Sequence, residues 1–295
     1  MALNKGVLKT RALTALAFTI VMVGGLVVHP YLFFILLTII HFGAWYEYVK
    51  LLGHIHQVPY NTLTVTGCSC IGYNALLVAT SKIVGLGELR LLQNFALVFT
   101  VVGFVLLAYS IIKSEKVVLA YYLKLLVGIG YISVSLALLL YCSSSSFYST
   151  SINNSWYNTY CTWPSFILLC MWLNDTFAYL VGSVIGKTPL STISPKKTWE
   201  GTIGGIIISS VIMGLWYSSC SGSTICHIST LGWVAIAVIA TVLGCIGDLL
   251  ESKLKRLAGV KDSGTFMPGH GGFLDRFDSL LFAAPFVVII VSLIT

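Results

Sequence analysis

Leu231-Gly-Trp-Val-Ala-Ile-Ala-Val-Ile-Ala-Thr-Val-Leu-Gly-Cys-Ile-Gly-Asp248-Leu-Leu-Glu251-Ser252-Lys253-Leu-Lys255-Arg256 is the stretch whose reading decides the fold class. Leu231–Leu250 is predominantly apolar and long enough for a helix to cross a hydrocarbon core of about 30 Å. The run then passes without a break into charges of both signs, as a membrane helix does where it meets water. The whole chain shares this character. Of its 295 residues 57% are hydrophobic and 9% charged, and its mean hydropathy is +0.92. A soluble domain carries roughly 25% charged residues. A soluble enzyme, a disordered chain, a coiled coil and a secreted disulfide scaffold are thereby excluded.

Open sheets and bare loops cannot cross lipid, because their backbone groups would go unsatisfied. The expected fold is therefore all-α, a polytopic integral membrane protein with about nine transmembrane helices. The candidate spans are residues 13–28, 31–45, 62–80, 91–112, 117–141, 164–185, 202–217, 231–250 and 279–294. The first two are short and joined only by His29-Pro30, which leaves the count open by one. With a cytoplasmic N-terminus, fourteen of the seventeen Lys and Arg residues fall inside and only Lys82 and Arg90 outside. That bias fits the positive-inside rule and suits an anionic leaflet. The basic start and the apolar run after it lack a small-residue cleavage site and read as an uncleaved anchor. Residues 1–160 are expected to form an N-terminal multi-span region. Residues 161–295 are expected to form a catalytic membrane region with cytoplasmic loops 187–201 and 251–278.

Eight cysteines form no metal pattern. Cys68, Cys70, Cys170 and Cys245 lie in spans and read as packing residues. Cys142, Cys161, Cys220 and Cys226 fall in expected outside loops, where oxidation is allowed but no pairing is indicated.

The acids are more informative. Seven of ten Asp and Glu residues lie between Asp175 and Asp278. On a helix, Asp248, Glu251, Ser252 and Lys255 share one face. Downstream, Gly259, Gly264, Pro268, Gly269, Gly271 and Gly272 break any regular helix. Glycines let backbone N–H groups approach a ligand, and Lys255, Arg256, Lys261 and His270 flank them. This reads as a phosphate-binding loop. Asp275 and Asp278 then sit at i and i+3 of the last helix, with Arg276 pointing away from them. Acidic pairs on two helix ends suit a hard divalent cation that shares its remaining positions with substrate phosphates. Snorkelling Lys and Arg are common at membrane edges, but five acids between Asp248 and Asp278 are not. The pattern fits metal-assisted phosphoryl or nucleotidyl transfer.

Asn174-Asp175 lies near the middle of the sixth span. A mid-membrane Asp costs roughly 2.5–3.5 kcal/mol on insertion scales, so it is a functional candidate. Tyr179, Gly182 and Gly186 continue from it as a stripe that reads equally as small-residue packing. Ser194-Pro-Lys196-Lys197-Thr-Trp199-Glu200-Gly201 follows. Ser-Pro signals a helix start, and the lysine pair makes a basic spot for phosphate or lipid headgroups.

With these residues in hand, the chain resembles the phosphatidate cytidylyltransferase (CDP-diacylglycerol synthase) family. The resemblance rests on Ser252, Lys255, Arg256, Lys261, Asp262, Pro268, His270, Gly271, Gly272, Asp275, Arg276 and Asp278 at the family's spacing. Gly247-Asp248, residues 194–201 and Asn174-Asp175 with Tyr179 also look like the family, and Met267 is a small departure from it. Roughly residues 165–280 are covered. The resemblance implies the conversion of CTP and phosphatidic acid to CDP-diacylglycerol and pyrophosphate in phospholipid synthesis, at the cytoplasmic side of an inner membrane. It implies Mg²⁺ on Asp248, Asp275 and Asp278, with a second, monovalent ion such as K⁺ beside it. Lys255 joins the three aspartates as catalytic. Ser252, Arg256, Lys261, His270, Gly271, Gly272 and Arg276 are expected to bind substrate, and Asp175, Lys196 and Lys197 to line its entrance. A homodimer is implied by the resemblance alone. Nucleic acid is not expected, because no basic stripe with interleaved aromatics exists. Rival readings are a CTP-dependent kinase of polyprenol or phytol type and an ion-coupled transporter using Asp175. Six of the seven clustered acids lie at or beyond the expected cytoplasmic edge, which weighs against transport.

Overall fold

The computed structural model describes residues 5–80, 86–114, 117–150, 163–220, 228–266 and 271–294. Among them the chain is helical, with α1 (Lys5–Val27), α2 (Pro30–His56), α3 (Thr62–Thr80) and α4 (Leu86–Lys113) in order. Then come α5 (Leu119–Gly128), a π-helical segment Ile129–Val134, and α6 (Ser135–Thr150). The remainder is α7 (Trp163–Ile185), α8 (Trp199–Cys220), α9 (Thr230–Leu257) and α10 (Leu274–Ile294). Eight helices among the described residues are long and apolar enough to cross a membrane, counting Leu119–Ser143 as one. The chain is a multi-pass membrane protein. Thr14–Leu26 is a shorter apolar helix.

His29-Pro30 does separate two helices. The His29 ring Nδ1 accepts the Tyr31 N–H at 3.3 Å, and Pro30 takes the first helical position, where its missing N–H costs nothing. α2 runs eleven residues beyond the expected Trp45, to His56. Gln57 closes it in a left-handed conformation, φ 54°. The charged residues Glu47 and Lys50, which end the apolar run, continue the same helix.

The helices group into two compact units. One comprises Met1–Tyr141 with Leu254–Phe277, the other Cys142–Lys253 with Asp278–Thr295.

In the first unit α3 crosses α4 at Gly67 and Gly103, where a Cβ on either would meet the other's carbonyl oxygen at 3.0 or 2.8 Å. Small residues at such a crossing let two backbones approach in lipid. The core beside it holds a buried polar group of side chains. The fully buried His41 Nε2 lies 2.9 Å from Ser133 Oγ, and Trp45 Nε1 donates to the same hydroxyl at 3.0 Å. Ser133 stands in the π-helical segment, a distortion that commonly re-aims a side chain.

In the second unit α7 packs on α8. Gly201 and Gly205 face the backbone of Ala178 and of Asn174, as close as 2.7–2.9 Å to an added Cβ. At the other end of the pair Trp163, Phe166, Tyr217 and Trp233 form an aromatic cluster. Trp163 and Trp233 stack there at 4.9 Å. The Ser165 and Tyr217 hydroxyls meet at 2.8 Å inside it. Cys68, Cys70, Cys170 and Cys245 are free thiols, and Cys142, expected in an outside loop, is buried on α6. Cys161 and Cys226 lie outside the described residues.

Candidate active site

The second unit gathers acids around α9. Gly247 lets α9 press on α10, because a Cβ there would come 2.7 Å from Phe282 Cβ and 2.8 Å from the Asp278 carbonyl. This close approach sets the turn that carries Asp248 beside the turn that carries Asp278. Asp278 is 7% exposed, Glu251 1%, and Asp248 is half-buried. Asp278 lies within electrostatic reach of Asp248, Glu251 and Asp175. Asp175 is exposed on α7, one residue from the buried Asn174, whose amide donates to Cys245 Sγ at 3.4 Å.

A cation enters this group from the connection between α7 and α8. Lys197 Nζ donates to Asp248 Oδ2. Burial opposes the Lys197 charge, but the Asp248 carboxylate outweighs it, with help from Asp175, and the ammonium is held above its ordinary pKa. The connection is a tight structure of its own. Leu190 N–H donates to the Lys197 carbonyl at 2.7 Å and Trp199 N–H to the Thr188 carbonyl at 2.9 Å. The Glu200 carboxylate accepts the Lys187 N–H at 3.1 Å and the Thr188 hydroxyl at 2.7 Å. Ser194-Pro195 forms a turn closed by the Lys197 N–H, four residues before the helix; Thr198 is the cap instead. Its hydroxyl accepts the Gly201 N–H at 3.1 Å, satisfying a donor that the first helical turn leaves open. Gly182 and Gly186 leave room for Thr198, so their part of the stripe is packing. Tyr179 is 75% exposed. Lys196 is exposed beside the inward-turned Lys197.

The first unit holds the rest of the acidic stretch. α9 ends in a Schellman-type stop: Val260 N–H reaches the Lys255 carbonyl at 3.0 Å and Gly259 N–H the Arg256 carbonyl at 3.1 Å. Gly259 sits at φ +71°, where only glycine is unstrained. Lys255 Nζ donates to Asp275 Oδ1 at 2.6 Å. Asp275 Oδ2 accepts the Ser263 N–H at 2.8 Å and the Gly272 N–H at 2.7 Å. Gly271, at φ +84°, leaves no space for a Cβ beside that carboxylate. Arg256 donates to the Val260 carbonyl at 3.1 Å. Lys261 and Arg276 are exposed, and Ser252, in the second unit, is half-buried. His270 lies outside the described residues.

Sequence reasoning passed over Glu47. It is 3% exposed on α2. It accepts the Phe273 and Leu274 N–H groups, both at 2.9 Å. The available signal was the continuation of helical periodicity past Trp45, which places an acid on a buried helix and not in a loop.

Among the described residues no three His, Cys, Asp or Glu side chains converge as a ready metal site. The donor chemistry nevertheless fits a hard cation. Every acid around Asp248 offers carboxylate oxygen, and Mg²⁺ commonly takes only one or two carboxylates, the rest coming from water and phosphate.

Fold and site thus define a multi-pass membrane protein with a partly buried acidic centre and a glycine-rich segment held by its own carboxylates. The cytidylyltransferase family model matches residues 9–294, and the chain belongs to that family. It is 35% identical over 191 residues to the phosphatidate cytidylyltransferase of Staphylococcus haemolyticus, covering 64% of this chain and 66% of the relative. It is 42% identical over 134 residues to that of Synechocystis sp., covering 42% of this chain and 41% of the relative. With phosphatidate cytidylyltransferase 4, chloroplastic, of Arabidopsis thaliana, it shares 47% identity over 115 residues, 37% of this chain and 27% of the relative. The chain thus spans from about a quarter to just under two thirds of these relatives' length.

Proposed function

We propose that this protein converts CTP and phosphatidic acid to CDP-diacylglycerol and pyrophosphate, working from the cytoplasmic face of an inner membrane. The names of the relatives support the substrate pair. The observation that carries the chemistry is the meeting of Lys197 and Asp248 beside Asp278, Glu251 and Asp175. The relatives' names favour neither the lipid kinase nor the transporter.

Two polyanions must be brought together within the membrane's edge. A phosphatidate oxygen attacks the α-phosphorus of CTP, the bond to the β-phosphate oxygen breaks, and pyrophosphate leaves. The nucleophile is already ionised near neutral pH, so no strong base is demanded. Asp248 and Asp278 are the proposed Mg²⁺ ligands; Asp275, also expected to bind metal, has both oxygens engaged by Lys255, Ser263 and Gly272. Mg²⁺ held there would neutralise phosphate charge and stabilise the leaving pyrophosphate. Lys197 orients Asp248, and with that carboxylate holding the ion its ammonium would be available to a phosphate oxygen. In the second unit the exposed Lys196 is a proposed contact for substrate phosphate and Asp175 a proposed entrance residue; in the first unit the exposed Arg256, Lys261 and Arg276 are proposed phosphate contacts.

The test is direct. Purified protein with CTP, phosphatidic acid and Mg²⁺ releases one pyrophosphate per CDP-lipid formed. Release of CDP with a phosphorylated lipid would replace this reading by a kinase. No turnover with any divalent ion would end it.

A further inference from the structure

Glu47 lies far in sequence from the acidic stretch, yet its carboxylate is the anchor of that stretch's glycine-rich segment. Its Oε1 accepts the Phe273 N–H, and its Oε2 accepts the Leu274 N–H and lies 2.7 Å from Ser263 Oγ. The same hydroxyl is 2.9 Å from Asp275 Oδ2, so its one proton serves either acid. Gly264 and Gly272 press against the Glu47 carboxylate so closely that a Cβ on either would collide with it. Both ends of the segment therefore close on one side chain.

This arrangement settles where the backbone donors go. The N–H groups of Ser263, Gly272, Phe273 and Leu274 all turn to Asp275 or Glu47. An acid of the protein takes the place at the start of α10 that an external anion would otherwise occupy. Lys261 and Arg276, which flank the segment, are both exposed, as is Asp262 beside Lys261.

We propose that Glu47 is a positioning residue for substrate phosphate. It clamps Ser263–Gly264 and Gly272–Leu274 so that Lys261 and Arg276 stand ready for a phosphate group, of CTP or of the lipid. The proposal rests on the cytidylyltransferase reading. A carboxylate suits the task because it only accepts, and every group it meets here donates. An amide in its place keeps the size but turns an N–H₂ toward an N–H. Fixing binding groups in advance is what lowers the cost of capturing a substrate.

The experiment compares full-length protein with Glu47→Gln and with Ser263→Ala, in lipid nanodiscs. Amide hydrogen exchange over residues 271–274 and the KM for each substrate are measured together. Glu47→Gln is expected to speed exchange there about tenfold or more. It should raise the KM for CTP or for phosphatidate about fivefold or more, with kcat within about twofold. The KM that moves identifies which phosphate is held. Ser263→Ala is expected to raise the same KM by a smaller factor. Unchanged exchange, or faster exchange with neither KM altered, overturns the proposal. If Glu47→Gln does not fold, Ser263→Ala decides by the same two readouts. If the wild type makes no CDP-lipid, the reaction assigned above falls, while the exchange of residues 271–274 still decides whether Glu47 clamps the segment.

Discussion

Lys255 donates to Asp275 over 2.6 Å, with only 11% and 7% of the two side chains exposed. The bond joins the last turn of α9 to the first turn of α10, and the other carboxylate oxygen holds the segment between them. Removing one partner of a buried pair leaves a charge with no counter-ion, which costs about 3–5 kcal/mol. Lys255→Met is therefore expected to lower the unfolding free energy in detergent by about that amount. Lys255→Met combined with Asp275→Asn should recover part of the loss, because neither charge then stays behind. A double variant no more stable than Lys255→Met would show that the pair is not what holds the turn.

Lys197 and Lys196 are neighbours with different fates. Lys197 meets Asp248, and Lys196 faces outward. Lys197→Ala is expected to cut kcat/KM about tenfold or more, equivalent to about 1.4 kcal/mol, and Lys196→Ala about threefold or less. Steady-state kinetics with both substrates checks this; equal effects would contradict the geometry.

The same lysine makes a pH prediction. Its pKa in the folded protein is raised above the ordinary 10.5 by Asp248. A raised folded-state pKa means that the ion pair's contribution is fully present below 10.5 and is lost only as pH rises through the still higher folded value. Lys197 should therefore add no basic limb to the rate profile below about pH 10. A basic limb near pH 8 to 9 that vanishes in Lys197→Arg would contradict the assignment.

Gly201 faces fixed backbone. A Cβ there would lie 2.7 Å from the Ala178 carbonyl oxygen and 2.9 Å from Gly182 Cα, and neither can rotate away. Gly201→Ala is expected to destabilise by about 1–3 kcal/mol, as overpacking does. Gly130 has nothing within 4 Å of a Cβ, so Gly130→Ala should fall within about 0.5 kcal/mol of wild type. Thermal unfolding of the two variants in one detergent measures the difference.

Much of this architecture was legible because lipid imposes a harsh rule: apolar runs of span length must be helices. Each of the last seven expected spans, from 62–80 to 279–294, falls on described helix, except that Val117 and Val118 precede the start of α5. Legibility failed where apolarity stops being the criterion. α2 continues through Glu47 and Lys50 because its buried face persists after its composition turns polar. Ser194-Pro195 matched a helix-start pattern, yet the backbone uses it as a turn and caps the helix at Thr198, where the hydroxyl reaches a free N–H. The acids of the site could be found by position, since charges are costly in a membrane. Their partners could not. Nothing local to Lys197 points to Asp248, and nothing local to Glu47 points to Ser263 or Leu274, because these contacts are made by the packing of helices far apart in sequence.

In the proposed reaction the acids gathered around α9 serve cytidylyl transfer. Asp278→Asn tests that role, since the change keeps size and replaces one carboxyl oxygen of a residue only 7% exposed by an amide nitrogen. Pyrophosphate release from CTP and phosphatidic acid in Mg²⁺ should fall about a hundredfold or more while the variant stays folded. A folded Asp278→Asn protein with near-normal turnover would contradict the account.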